Sequence, residues 1–174
     1  MTMENGDIRL RRFSIEDQPI VTKLCNNVNV WNSLQDFLPN PYTGKDAIEF
    51  ISHCEKENPQ VTFAIEYQRK FVGCIGLVLQ TDVHSLSAEI GYWIGEPYWG
   101  LGICTKAVEL STDYAFNQLN LVRIYARVFD FNLASQRVMG KSGFLLEGIF
   151  AKAFRKNGKI GDEYRYAKLN NKFA

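Results

Sequence analysis

The run Ala88-Glu89-Ile90-Gly91-Tyr92-Trp93-Ile94, then Gly95-Glu96-Pro97-Tyr98-Trp99, then Gly100-Leu101-Gly102-Ile103-Cys104-Thr105-Lys106 constrains this chain more than any other stretch. It reads as strand, turn, glycine-rich loop and helix. The helix, Thr105 to Leu119, has Ala107, Val108, Leu110, Ser111, Tyr114 and Ala115 on one face, and a strand from Leu121 to Val128 follows. Strand, helix, strand in that order implies a right-handed crossover between parallel neighbours. Glycines at 100 and 102 let the backbone turn tightly and approach a ligand, so N–H groups from about Leu101 to Thr105 can converge on one anion at the helix start. The helix macrodipole favours negative charge there, and a pyrophosphate fits such a nest.

Two other glycine patterns fail against these residues. A phosphate loop of the nucleotide hydrolases needs Gly-Lys-Ser/Thr, but Ile103-Cys104-Thr105-Lys106 follows Gly102 and brings the lysine too late. A dinucleotide fingerprint needs a third glycine where Thr105 stands, and its acidic residue would have to be Asp130.

The rest of the chain reads as one continuous α/β fold. Ile8 to Phe13 alternates as a strand, Ser14 with Asp17 forms a capping box, and Pro19 places the start of the main helix near Asp17, running toward Asn26. After a Pro-punctuated loop, Phe37 to Tyr42, Thr43 caps a helix carrying Ala47, Ile48, Phe50 and Ile51. Val61–Tyr67 and Phe71–Gln80 form a hairpin around Gln68-Arg69-Lys70, and Ser87–Ile94 is the third strand of that meander. Leu133–Ser142 is a short helix, and Phe144–Phe154 with Ile160–Leu169 closes the fold through an Asn157-Gly158 turn. About seven strands and four helices result.

With 174 residues, 46% hydrophobic, 22% charged and a formal net charge of +1, the chain is expected to be one domain, 1–174, that is soluble and globular. The basic cluster Lys152 to Lys159 is offset by Asp162 and Glu163 and reads as a solvated strand face, so no nucleic-acid partner is expected. Met1 to Arg12 lacks the apolar core of a signal peptide and no apolar run is long enough to span a membrane, so a cytoplasmic location is expected. Cys25, Cys54, Cys74 and Cys104 lie 20 or more positions apart, which suits reduced thiols, mostly in the core. His53 and His84 have no partner at metal-ligand spacing, and no metal is expected.

Glu89 to Lys106, Asn132-Leu133-Ala134-Ser135 and Lys141-Ser142-Gly143-Phe144 together resemble the GNAT superfamily of N-acetyltransferases, in the branch of the ribosomal-protein N-terminal acetyltransferases. Ile8-Arg9-Leu10-Arg11 and the terminal hairpin also fall where that family has them, so the resemblance covers nearly the whole chain. It departs from the pattern at Trp99, where many members carry Gln or Arg, and at Cys104, where Gly or Ala is usual. The resemblance implies a mixed, mostly antiparallel sheet flanked by helices. It also implies acetyl-CoA as co-substrate, and direct transfer of acetyl to an amine in a ternary complex. The alternative from another class is a module that binds acyl-CoA without turnover.

Amide-forming transfer requires a base for the amine, a polarised thioester carbonyl and a proton for the departing thiolate. The resemblance implies that Ser87–Ile94 splays from its parallel neighbour, so that backbone groups near Trp93 and Ile94 bind the cofactor arm. Gly100, Leu101, Gly102, Ile103, Cys104 and Thr105 would hold its phosphates. Glu89, on one face with Gly91 and Trp93, is the candidate base through a water, or else it lines the amine site or bonds nearby backbone. Ser135 is the candidate acid, or else bonds its own helix, and the tyrosine many members use four positions on is Met139 here. Asn132 caps that helix and by resemblance contacts the cofactor arm, while Lys141 and Arg137 either reach phosphates or stay solvated. Cys104, at a helix N-terminus, would form an acyl-enzyme only if its pKa were lowered. By resemblance the connection from Trp31 to Tyr42 shapes acceptor choice, with those two residues in the pocket. The acceptor, a peptide or a small-molecule amine, and the choice between monomer and homodimer stay open.

Overall fold

The computed structural model describes residues 2–173. Eight strands and five α-helices follow one another as β1 (Thr2–Asn5), β2 (Ile8–Arg11), α1 (Gln18–Cys25), α2 (Val28–Asn32), α3 (Gly44–Glu55), β3 (Thr62–Tyr67) and β4 (Lys70–Leu79). Then come β5 (Ser87–Ile94), α4 (Ile103–Asn117), β6 (Arg123–Phe129), α5 (Leu133–Lys141), β7 (Leu145–Lys156) and β8 (Lys159–Leu169). Strand order is β1-β2-β3-β4-β5-β6-β8-β7. β5 and β6 run parallel, whereas β1–β2, β2–β3, β3–β4, β6–β8 and β7–β8 are antiparallel. The expected fold class holds, with one more strand and one more helix. β1 and the short α2 are the additions.

The chain divides into two compact units. The first comprises the chain up to Gly76 with Tyr92–Leu110. Its helices start where the sequence marks them: Ser14 and Thr43 each close a capping box, with Asp17 and Asp46, and Pro19 sits in the first turn of α1. These boxes satisfy amide donors that a helix start otherwise leaves bare. Val21, Leu24 and Cys25 of α1 and Ala47, Ile51 and Cys54 of α3 pack with Phe13, Ala64, Phe71 and Cys74 into one apolar cluster. The β3–β4 turn is tighter than expected, because Gln68 and Arg69 take φ of 49° and 63° and close a two-residue turn, leaving Lys70 in the strand.

The second unit comprises Leu77–Gly91 and everything from Ser111. Along β6 the sides alternate: Ile124, Ala126 and Val128 are buried, while Arg123, Tyr125, Arg127 and Phe129 take the other face. Asn157 and Gly158, φ 50° and 77°, close the β7–β8 hairpin as expected. Asn170 Nδ2 donates to the carbonyls of Phe116 and Leu121, fastening the chain's last turn. Lys156 departs from the solvated reading of the basic cluster, being buried, whereas Lys152, Arg155 and Lys159 are exposed.

Candidate active site

The glycine loop in the first unit is built from its two ends. Gly95 N–H donates to Val72 O at 2.9 Å, and the indole Nε1 of Trp99 donates to Ile94 O at 2.7 Å. Ile103, 2% exposed, anchors the start of α4. Gly100 and Gly102 have φ of +78° and +75°, the left-handed region that side chains other than glycine's enter with strain. A Cβ placed on either would meet nothing within 4 Å. The loop's glycines are therefore not packing glycines. Gly73 shows the contrast, since a Cβ there would fall on the Trp93 carbonyl and lie 3.0 Å from Ile94 Cα. The space over Gly100 and Gly102 is open, it lies at the N-terminal end of α4, where the helix dipole favours an anion, and residues 99–105 include no carboxylate. This setting fits a diphosphate.

Cys104 does not meet the condition for an acyl-enzyme. A helix N-terminus lowers a thiol pKa, but burial dominates here and pushes Cys104 up to about 12, against an acyl-enzyme role. Cys25 and Cys54 are pushed up to about 12 by burial as well, and Cys74 is raised by the same cause.

Glu96, just ahead of the loop, accepts from Asn27 Nδ2 at 2.6 Å and from Asn29 Nδ2 at 2.8 Å. Asn27 also caps α2 through its own side chain. Trp31 is half-buried and donates Nε1–H to Leu38 O at 2.9 Å. Tyr42, 4% exposed, sits inside the apolar cluster, where burial raises its phenol pKa, and its N–H donates to Asn26 Oδ1 at 2.9 Å. Its ring belongs to the packing beneath that connection. Trp93 leans on the same cluster, 6.1 Å from the Phe71 ring.

In the second unit, the parallel ladder pairs Ser87 with Arg123, Ala88 with Ile124 and Glu89 with Tyr125; Ile90 and Gly91 carry no registered partner on β6, although β6 runs on to Phe129. Glu89 accepts from Arg127 at 2.9 Å on Oε1 and pairs with it at 2.8 Å on Oε2. Asn132 caps α5 by accepting from Ser135 N–H at 3.1 Å, which brings these two candidate residues together. The Ser135 side chain is half-buried, Arg137 and Lys141 are exposed, and Met139 is fully buried. Asp130 serves structure: its carboxylate accepts from Phe131 N–H at 2.7 Å and Asp162 N–H at 3.0 Å. Among the described residues, no group of His, Cys, Asp and Glu is arranged to hold a metal ion, and no helix is long and apolar enough to cross a membrane.

Two residues escaped sequence reasoning. Arg127 had a signal, since it alternates with Tyr125 on β6, but the register that brings it to Glu89 lies in no local pattern. Glu96 reads as an ordinary turn residue, and its partners lie 69 and 67 positions away.

Comparison with known proteins agrees with this geometry. The family model described as Acetyltransferase (GNAT) domain matches residues 7–145. A spermidine N(1)-acetyltransferase of Escherichia coli K12 is 30% identical over 162 residues, covering 91% of this chain and 83% of that protein. The crystal structure of spermidine N-acetyltransferase from Vibrio cholerae in complex with CoA and spermine superposes with a TM-score of 0.81 at 26% identity, covering 97% of this chain and 99% of that one. The ribosomal-protein-S5-alanine acetyltransferase of Vibrio fischeri shares the fold, with a TM-score of 0.85 at 21% identity over 100% of this chain and 99% of that one. A glycine loop left open for an anion, on a chain matched by this family over most of its length, has one reading: the protein belongs to the GNAT family and is an acetyl-CoA-dependent N-acetyltransferase.

Proposed function

We propose that the chain, acting as one N-acetyltransferase domain in the cytoplasm, transfers acetyl to a primary amine by direct attack in a ternary complex. The observation that carries this reading is the pair of left-handed glycines, 100 and 102, with open space above them. Gly100 to Thr105 would bind the diphosphate, with Trp93, Ile94, Asn132 and Lys141 along the rest of the cofactor. When bound, acetyl-CoA supplies an activated acyl thioester. Glu89 takes the amine's proton through a water; a carboxylate has about four lone-pair sites, so the two contacts from Arg127 leave room to accept from that water. Ser135 Oγ, on the helix capped by Asn132, delivers a proton to the leaving sulfur. Trp31 would line the amine site, whereas Tyr42, 4% exposed, belongs to the apolar cluster rather than to a pocket wall.

Thiol release with a panel of amines, beside calorimetry with acetyl-CoA, tests this. Gly102→Trp should abolish binding with the fold intact, Glu89→Gln should lower kcat by roughly 100-fold or more, and Ser135→Ala should slow turnover more than it weakens binding. Binding with no amine-dependent release would make the chain an acyl-CoA sensor instead. Unchanged affinity in Gly102→Trp would remove the diphosphate assignment.

A further inference from the structure

The outward face of β5, β6 and β8 in the second unit carries a cavity of about 330 Å³ that none of these roles uses. It is lined by Gln80, His84, Ser87, Arg123, Tyr125 and Arg165. Ser87 and Arg123 are registered neighbours on the parallel ladder, Arg165 comes from β8, and Gln80 and His84 come from the connection ahead of β5. Two guanidiniums, an imidazole, a phenol, an amide and a hydroxyl face this space, and no carboxylate lines it. The glutamates that pair with the arginines, Glu147 with Arg123 and Glu163 with Arg165, hold the guanidiniums without lining the cavity. Arg165 also lies 4.1 Å over the Phe150 ring, and its buried Nε has no acceptor, so its donors are not used up. Each guanidinium is balanced by its own glutamate, so what the lining offers is donors suited to carboxylate or phosphate oxygens, which match guanidinium geometry, and no carboxylate to accept from an ammonium.

The position of the cavity gives this chemistry a meaning. Ser87 and Glu89 share a strand face two residues apart, about 7 Å along the strand. Tyr125 in the lining is the registered partner of Glu89, and Arg127, which holds Glu89, is the cross-strand partner of Arg165. An amine at Glu89 thus has its far end within reach of the cavity. We propose that the acceptor is a small amine that also bears an anionic group, carboxylate or phosphate, seated on Arg123, Arg165 and His84. This rests on the reading of Glu89 as the residue that meets the amine. A polyamine is the acceptor such a lining disfavours.

Thiol release at saturating acetyl-CoA is compared for β-alanine, its methyl ester, aminoethyl phosphate and spermidine, with acetyl-CoA binding followed separately by calorimetry. At least one anionic amine should exceed the ester and spermidine by ~10-fold or more in kcat/KM, and which one separates carboxylate from phosphate. His84→Gln, on an exposed connection, and Arg123→Gln should raise KM for that amine ~10-fold with kcat little changed, leaving acetyl-CoA affinity and KM for the ester where they were. Equal or better use of spermidine or the ester overturns the proposal while the acetyltransferase reading stands, as does release with none of the anionic amines. If acetyl-CoA itself fails to bind, the underlying reading falls instead. Titrating β-alanine and aminoethyl phosphate into wild-type and His84→Gln protein then decides the cavity: binding lost in the variant supports it, and no binding to wild type overturns it.

Discussion

Arg127 holds both carboxylate oxygens of Glu89, with Nε 2.9 Å from Oε1 and Nη2 2.8 Å from Oε2. The contact fixes where the carboxylate points, and the same hydrogen bond raises the Arg127 pKa. The Arg127 side chain is 38% exposed, so its loss should cost little stability. Arg127→Met is expected to lower the unfolding free energy by less than about 1 kcal/mol while reducing kcat/KM by roughly 10-fold. Urea melts beside steady-state kinetics check this; a large stability loss with normal kinetics would make the pair structural.

The two kinds of glycine in the first unit should respond differently to one methyl group. Gly102→Ala meets no atom and carries only backbone strain of about 1–2 kcal/mol, so it should fold and bind acetyl-CoA more weakly. Gly73→Ala drives a Cβ into the Trp93 carbonyl and should destabilise by about 3 kcal/mol or more. Denaturation midpoints with calorimetry on the folded variant separate the two.

Buried thiols make the fold sensitive to alkali. Cys25 and Cys54 ordinarily ionise near 9.0 and are pushed up to about 12 by burial. Between these values the unfolded chain has lost protons that the folded chain keeps. The contribution of each thiol is complete below pH 9.0 and is lost as pH climbs toward 12, by ~1.4 kcal/mol per pH unit. Unfolding free energies measured from pH 8 to pH 11 should fall with a slope that Cys25→Ala reduces. Cys104→Ala should leave turnover intact, because a thiol held near 12 is not a nucleophile at neutral pH.

Trp99→Phe removes the indole N–H that Ile94 O accepts at 2.7 Å. Stability should drop by about 1 kcal/mol. If this contact sets the loop's approach to α4, acetyl-CoA affinity should fall with it, and calorimetry reads that directly.

What the sequence made legible was local. Ser14 with Asp17, Thr43 with Asp46 and Asn157-Gly158 each act within four residues, so their chemistry is visible in a line of letters. The loop at Gly100 and Gly102 was legible for the same reason. β1 was missed because Thr-Met-Glu-Asn shows no alternation and pairs only through β2, and α2 because five residues are too short for a period. The Glu89–Arg127 contact spans 38 positions and depends on strand register, which tertiary packing decides. Tyr42 shows the opposite difficulty, for a ring in a Pro-rich loop gives no sign that it turns inward.

The grip of one glutamate on two asparagines couples evolutionary change in two places. Glu96 ties Asn27 and Asn29 to the segment leading into the glycine loop, so a new side chain at either asparagine also disturbs the residues ahead of the loop. The stretch from Trp31 to Leu38, closed by its own indole-to-carbonyl bond, lies outside that knot, so its side chains can be exchanged without unseating the glutamate.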